Sequence, residues 1–301
     1  MKIKYLIYIL LPLGLVACKQ DYLDREPEAN ISPDGYFRTE KDLELYCNSF
    51  YSVLPSAEAV YNEGIDNIVK NTLADEVTGR RQIPVSGGGW GWSDLRNINY
   101  FLENYNNIVP EANAAKYAAV ARFFRAYFYL NMVKRFGDVP WYSTALDQND
   151  EAMLTKGRDS RVLIVDSILA DLDYAILHLD ETNSDEKITK WTALALQSRA
   201  ALFEGTFRKY HKDLNLPNAT SLLEKSAAAA KAIMDGGKYS LYQGDGTNGY
   251  QALFSSVNAV NQEVILARKF SDALQIWHDV NYYTITASYG KPGLDKDLVN
   301  T

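Results

Sequence analysis

The sequence has few of the residues that build disulfide frameworks or metal sites. Its 301 residues include 2 cysteines and 3 histidines. The histidines, His178, His211 and His278, are far apart and show none of the spacings typical of zinc ligands. The sequence therefore predicts no metal and no disulfide scaffold, and a fold that depends on a packed hydrophobic core.

Basic charge and catalytic motifs are also scarce. Lys and Arg number 31 against 38 Asp and Glu, a net charge of -7, which disfavours nucleic acid and anionic lipid as partners. No G-x-S-x-G motif occurs, and the glycines at 87–89 are not followed by the Lys-Ser/Thr of a phosphate-binding loop. Asp75 and Glu76 are adjacent, a poor arrangement for the opposed carboxylates of a glycosidase. We therefore expect no enzyme activity and no cofactor.

The N-terminus has the pattern of a bacterial lipoprotein leader. Lys2 and Lys4 precede an apolar run at 5–15, which is too short to span a membrane as a helix. The run ends in Leu-Val-Ala-Cys, an aliphatic residue, any residue, a small residue and then cysteine. This predicts a signal peptide at 1–17 and a lipid-modified Cys18 that anchors the mature chain to the membrane.

After a polar tether at 18–38, residues 39–301 are predicted to form a mainly α domain with minor short strands. Apolar residues recur at steps of three and four, as in amphipathic helices. Thr39 and Asp42 indicate a capping box at the first helix, and Cys47 lies on its apolar side as a buried, inert thiol. Further predicted helices cover 93–107, 111–136, 160–179, 189–210 and 221–235, and predicted strands cover 263–269 and 282–287.

The helices after residue 110 are rich in alanine. Small residues let helices approach closely, as in the stacked helical hairpins of the tetratricopeptide (TPR) type. We expect 111–136 to pair with 160–179, and 189–210 to pair with 221–235, the last helix being capped by Ser221 and Glu224. No strict 34-residue repeat recurs, so the prediction is TPR-like pairing inside one globular domain.

The loop at 75–97 carries two tryptophans, Trp90 and Trp92, directly after the glycines. An indole ring can cover the apolar face of a sugar while nearby Arg, Asp and Asn side chains bond its hydroxyls. For Trp92 we favour a core role at the start of a helix. For Trp90 the sequence does not decide between packing in the core and contact with a ligand.

Five segments resemble the SusD/RagB family of Bacteroidota. They are the lipoprotein leader with the stretch that follows it, "WSDLRNINYFLEN", "AVARFFRAYFYLNMVKRFGDVPWY", "RDSRVLIVDSILADLDYAIL" and "ITKWTALALQSRAALFEGTFRKYH". The resemblance implies an outer-membrane lipoprotein of TPR-like helix pairs without catalytic residues. Such a protein covers a SusC-like TonB-dependent transporter and captures glycans or, in some members, peptides for import.

The resemblance also suggests a ligand site. In the starch-binding prototype an acidic residue, an arginine and a tryptophan of this early loop contact glycan. The nearest candidates are Asp75, Arg80, Arg81, Trp90, Trp92 and Asn97, although the spacing differs from that of the prototype. Family members also continue beyond the equivalent of Thr301, so we expect the domain at 39–301 to lack its C-terminal part.

Three alternatives to glycan capture stay open. They are a peptide-binding member of the same family, a membrane-anchored glycoside hydrolase, and a TPR-like scaffold that binds only protein. Glycan capture predicts that Trp90→Ala weakens ligand binding without loss of stability, whereas Trp191→Ala, on a predicted core helix, destabilises the fold.

Overall fold

The computed structural model describes residues 36–60, 68–69, 75–107, 109–147, 149–244, 246–286, 288 and 293–300. The predicted signal peptide, Cys18 and most of the tether lie outside these residues. The domain boundaries given above therefore stay predictions.

Helices dominate the described residues, which confirms the mainly α fold. The α-helices are α1 (Glu40–Ser49), α2 (Asp75–Thr78), α3 (Ser93–Asn104), α4 (Glu111–Phe136), α5 (Glu151–Leu154), α6 (Arg161–His178), α7 (Lys190–Tyr210), α8 (Ala219–Asp235), α9 (Gly249–Ser255), α10 (Val280–Ile285) and α11 (Lys296–Asn300). Short 3-10 turns occupy Phe50–Val53, Ala57–Val60, Lys212–Leu214 and Gly246–Asn248. Two short strands, β1 (Ile68–Val69) and β2 (Gly293–Leu294), pair antiparallel with Ile68 opposite Leu294.

Of the two helix caps predicted above, one forms and the other does not. At α1, the Thr39 side chain accepts from the Asp42 N–H, and the Asp42 carboxylate accepts from the Thr39 N–H at 2.8 Å, which confirms the capping box. The Asp42 carboxylate also accepts from the Thr39 hydroxyl at 2.9 Å, and this bond, together with the one from the Thr39 N–H, lowers the pKa of Asp42. The predicted Ser221 cap is wrong, because α8 begins at Ala219 behind Asn218, whose φ of 65° is left-handed.

Both predicted strands are wrong. Residues 282–287 overlap helix α10, and residues 263–269 form turns and irregular chain. The two segments are rich in β-branched and aromatic residues, which favour strands only where a neighbouring strand pairs with them. No described strand lies beside either segment, and a short helix satisfies backbone groups locally.

The predicted helical hairpins are confirmed. Helix α4 packs against α6, α7 packs against α8, and α6 joins the two hairpins through α7. The α7–α8 approach is close. A Cβ on Gly205 would lie 2.9 Å from the Leu223 side chain, and one on Gly236 would lie 2.4 Å from the Trp191 ring. Small residues thus set the spacing of this hairpin.

A buried polar network ties α3, α4 and α6 to the chain that follows α4. Arg125 binds Asp171 through two hydrogen bonds of 2.7 and 2.8 Å, and its Nη1 donates to Asn99. The Asn99 amide donates in turn to the backbone carbonyls of Tyr142 and Thr144. Because these groups are buried and bonded to one another, the network fixes the chain at 142–144 against the helices.

A second buried network joins α6 to α7. The Glu204 carboxylate accepts from Arg161 Nε at 2.7 Å and from Arg208 Nε at 2.8 Å. The Arg161 guanidinium also lies 3.6 Å from the centre of the Phe207 ring. All three charged residues are buried, so one carboxylate is the shared counter-charge of two enclosed cations.

Cys47 is buried in the core, and burial raises the pKa of its thiol, as expected for an inert cysteine. Its Sγ lies 3.6 Å from the Tyr117 carbonyl. Within the part of the chain that the structure describes, no helix is both long enough and apolar enough to span a bilayer.

Candidate functional site

The candidate site begins with a glycine turn held by helix α4. Gly87, Gly88 and Gly89 have φ angles of 75°, 65° and 84°, a run of left-handed residues for which glycine is by far the best suited. The Gly88 carbonyl accepts from Arg135 Nε, in the last turn of α4, at 2.6 Å. A Cβ on Gly89 would lie 2.9 Å from that Nε, so glycine there also leaves room for the arginine.

Trp90 leaves this turn and packs edge-on into an aromatic cluster. Its ring centre lies 4.8 Å from that of Phe136 and 5.1 Å from that of Trp92. The Arg158 guanidinium lies 5.0 Å from the ring centre, within cation–π distance. Even so, 38% of Trp90 is exposed. Trp90 therefore packs against neighbouring rings and still presents indole surface, so ligand contact by Trp90 stays a prediction.

Arg158 is fixed to the end of α4. Gly137, with φ 73°, ends that helix, and Arg158 Nη1 donates to the carbonyls of Phe136 and Asp138, both at 3.2 Å. These bonds use the carbonyls left open where the helix stops. The end of α4 thereby places the guanidinium next to Trp90.

The chain around Arg158 is held by a short bridge to residues after α4. Val139 and Asp159 form an isolated antiparallel pair, and the Asp159 carboxylate accepts from the Trp141 N–H at 2.7 Å and from Lys156 Nζ at 2.6 Å. Burial alone would raise the pKa of Asp159, but the hydrogen bonds from Lys156 and Trp141 lower it overall. Asp159 therefore supports Arg158 as an ionised carboxylate.

Together these elements line a groove of about 620 Å³, which we call the Trp90 groove. Its described lining residues are the loop at 83–88 with Arg81, Trp90, Arg135, Phe136 and Arg158. Ile83 and Val85 in this loop are fully exposed. The groove thus combines apolar surface with guanidinium donors, a pairing suited to a ligand with both an apolar face and polar groups.

Trp92 lies mainly in the core. Its ring contacts those of Tyr142 and Phe128, with centres 5.4 and 5.7 Å away, and it precedes the first residue of α3. It also borders a second, shallower groove of about 700 Å³. The other residues described there are Ser93, Arg96, Ala145, Leu146, Asp147, Asn149 and Leu154.

The remaining sequence candidates lie apart from both grooves. Asp75 begins α2, and its carbonyl accepts from the Arg80 N–H at 2.9 Å. Arg80 Nε donates to the Thr78 hydroxyl, and Asn97 is exposed on α3. Of the six candidates, the structure brings Arg81 and Trp90 together in the Trp90 groove and places Trp92 against Trp90.

Sequence reasoning missed Arg135, Phe136 and Arg158. The available signal was the family resemblance, because Arg135 and Phe136 lie in the segment that contains "KRFGDVPW" and Arg158 begins the segment "RDSRVLIVDSILADLDYAIL". Their contacts with the glycine loop depend on the direction in which α4 runs. The periodicity of apolar residues in the sequence does not reveal that direction. The described residues contain no group of three or more His, Cys, Asp or Glu able to hold a metal ion.

Comparison with known proteins identifies related chains. A SusD-like family model, described as starch-binding and associating with the outer membrane, matches residues 83–234, about half of the chain. The SusD-like protein P25 of Formosa agariphila is 25% identical over 233 residues, which are 68% of this chain and 44% of P25. A SusD-like protein of Bacteroides ovatus is 24% identical over 305 residues, covering 93% of this chain and 52% of that protein. The chain thus spans about half the length of these relatives.

Solved structures share the fold. A crystal structure of a SusD-like protein from Bacteroides fragilis superposes with a TM-score of 0.62 at 23% identity, covering 82% of this chain and 48% of that one. A laminarin-binding SusD-like protein superposes with a TM-score of 0.58 at 19% identity, covering 76% of this chain and 51% of that one. At these identities the likeness concerns the fold.

Proposed function

Because this chain belongs to the SusD-like family of non-catalytic binding proteins, we propose that it binds glycans in the Trp90 groove and delivers them to a SusC-like TonB-dependent transporter. The observation that carries the proposal is a partly exposed indole, fixed beside guanidinium donors in a groove of about 620 Å³. Trp90, Arg135 and Arg158 all lie inside the segment that the family model matches.

The groove offers what a sugar ring needs. Indole surface covers the C–H face of the ring, and guanidinium N–H groups bond its hydroxyls. The cluster of Phe136 and Trp92 fixes the indole before a ligand arrives, so binding does not have to order it. The open groove leaves much of the sugar hydrated, and we expect modest affinity.

The test is glycan binding by Trp90→Ala, measured by calorimetry and affinity electrophoresis on a panel of neutral and charged glycans that includes laminarin and starch. We expect affinity to fall at least about tenfold, equivalent to about 1.4 kcal/mol. Trp277→Ala is the matched control, because Trp277 is 55% exposed and its indole N–H already donates to Asp272. Equal affinities in the two variants would contradict the site, and binding of peptides but not glycans would favour the peptide-capturing alternative.

We also expect Trp90→Ala to lower stability, whereas the sequence alone led us to expect no loss. The two edge-to-face contacts of Trp90 contribute about 0.5–1.5 kcal/mol each. We therefore expect a loss of about 1–3 kcal/mol. Binding should be measured at a temperature where circular dichroism shows both variants folded.

We further propose that a lipid on Cys18 anchors the protein to the outer membrane, facing the cell surface. The proposal rests on the leader sequence and on the family's outer-membrane association. Cys18→Ala should move the protein from the membrane fraction to the soluble fraction. Retention in the membrane fraction would overturn the anchor. The proposed transporter partner is tested by purifying the wild-type protein from membranes. A SusC-like barrel should co-purify with it.

A further inference from the structure

The residues that line the Trp90 groove include several positive charges, although the protein as a whole is acidic. The whole chain has a net charge of -7, yet Arg81, Arg135 and Arg158 line this groove. None of the described residues that line it is Asp or Glu. A ligand in the groove therefore meets a positive local field on an acidic protein.

Two of these arginines have no carboxylate partner among the described residues, unlike the buried arginines of the core. Arg135 is held by the Gly88 carbonyl through Nε, and Arg158 is held by two backbone carbonyls through Nη1. In contrast, Arg125 and Arg161 are each paired with a buried carboxylate. Backbone carbonyls therefore determine the positions of Arg135 and Arg158, and no described carboxylate is paired with either guanidinium.

The two cations are gathered around one aromatic pair. Arg158 lies 5.0 Å from the Trp90 ring centre, Arg135 lies 5.6 Å from the Phe136 ring centre, and the two rings are 4.8 Å apart. Both arginines line the same groove, and an anion bound there would interact favourably with both positive charges and reduce the repulsion between them. A guanidinium with free N–H groups binds carboxylate and sulfate oxygens strongly, often through two parallel hydrogen bonds.

We propose that the glycan bound in the Trp90 groove is anionic, with a uronic carboxylate or a sulfate ester that pairs with Arg135 and Arg158. This inference rests on the proposed glycan-binding function and names the ligand class of the same site. The sugar ring packs on the exposed part of Trp90, and its anionic group receives N–H donors from the two arginines.

Calorimetry on matched ligand pairs tests the proposal. The carboxylate arm compares oligogalacturonate with its methyl ester. The sulfate arm compares a sulfated carrageenan oligosaccharide with its desulfated form. In at least one arm we expect the anionic member to bind at least about tenfold more tightly at low salt, because hydrogen bonds to charged groups are the stronger ones. The preference should shrink as salt is added, since ions screen exposed charges.

The variants Arg135→Gln and Arg158→Gln should each reduce anionic binding about tenfold while changing neutral binding less. Arg268→Gln is the control, because exposed Arg268 also donates to a loop carbonyl, that of Pro55 at 3.2 Å, but lies outside this groove. It should bind like the wild type. If Arg135→Gln disrupts the glycine turn that Arg135 holds, the effect of Arg158→Gln on anionic binding tests the proposal.

The outcomes separate the two proposals. Equal affinity for the charged and neutral members of both pairs, with loss in Trp90→Ala, would overturn the anionic ligand and leave glycan binding intact. No glycan binding at all would overturn the proposed function itself. Tighter binding of acidic peptides than of any glycan would overturn the proposal that the ligand is a glycan. The proposal that the two arginines bind an anionic group would then stand for a peptide carboxylate.

Discussion

Replacing Glu204 with glutamine should be among the most destabilising single changes in the helical hairpins. Glu204 is 1% exposed, and its two oxygens accept from Arg161 and Arg208 at 2.7 and 2.8 Å. An amide can accept from one guanidinium but turns its NH₂ toward the other, and it leaves two buried cations without a counter-charge. Arg161 Nη2 and Arg208 Nη2 already lack a partner among the described residues, so few groups nearby can compensate.

The magnitude follows from the burial of all three groups. Removing one partner of a buried ion pair costs about 3–5 kcal/mol. At roughly 2–4 °C per kcal/mol for a chain of this size, the Tm should fall by about 6–20 °C. Thermal melts followed by circular dichroism at 222 nm measure it, with Glu224→Gln on the exposed face of α8 as the control. A drop in Tm no larger than that of the control would refute the role of this network.

Three further experiments test the helical core and the candidate site. Trp191→Ala should cost about 3–5 kcal/mol, because its buried ring fills the α7–α8 contact, and chemical denaturation measures the loss. In a Cys18→Ala background, the buried Cys47 thiol, whose pKa is raised by burial, should react with Ellman's reagent only on unfolding; rapid reaction of the folded protein would contradict its burial. Gly89→Ala should weaken glycan binding more than Gly79→Ala does. Both have left-handed φ angles, of 84° and 68°, but only the first would also displace the arginine that anchors the loop.

The helices could be predicted from the sequence because their signals are local. Helix α4 covers the predicted range, and the capping box at Thr39 forms as expected. The errors arose where local signals compete. Ser221 looks like a cap, but Asn218 takes a left-handed backbone conformation and starts α8 earlier. The predicted strands failed because strand pairing is decided by distant segments, which composition does not report.

The candidate site was predictable only in part, for the same reason. The glycines and tryptophans of the loop stand out in the sequence, and two of the six candidates chosen around them, Arg81 and Trp90, line the same groove. Arg135 looked like an ordinary cation in the last turn of a helix, where lysine and arginine are common. Arg158 looked like an ordinary charged residue of a loop. Their role became visible only when α4 and the chain before α6 met the glycine loop, a contact between segments far apart in sequence.

The close contact between α7 and α8 has a consequence for how related sequences can diverge. Gly236 leaves room for the Trp191 ring, and Gly205 leaves room for Leu223, at separate points of the same hairpin. A larger residue at either glycine should be tolerated only together with a smaller partner on the facing helix. Natural relatives should therefore vary at these positions in pairs, with opposite changes in volume. We expect the distance between the two helices to be kept among relatives, rather than the identity of any one side chain.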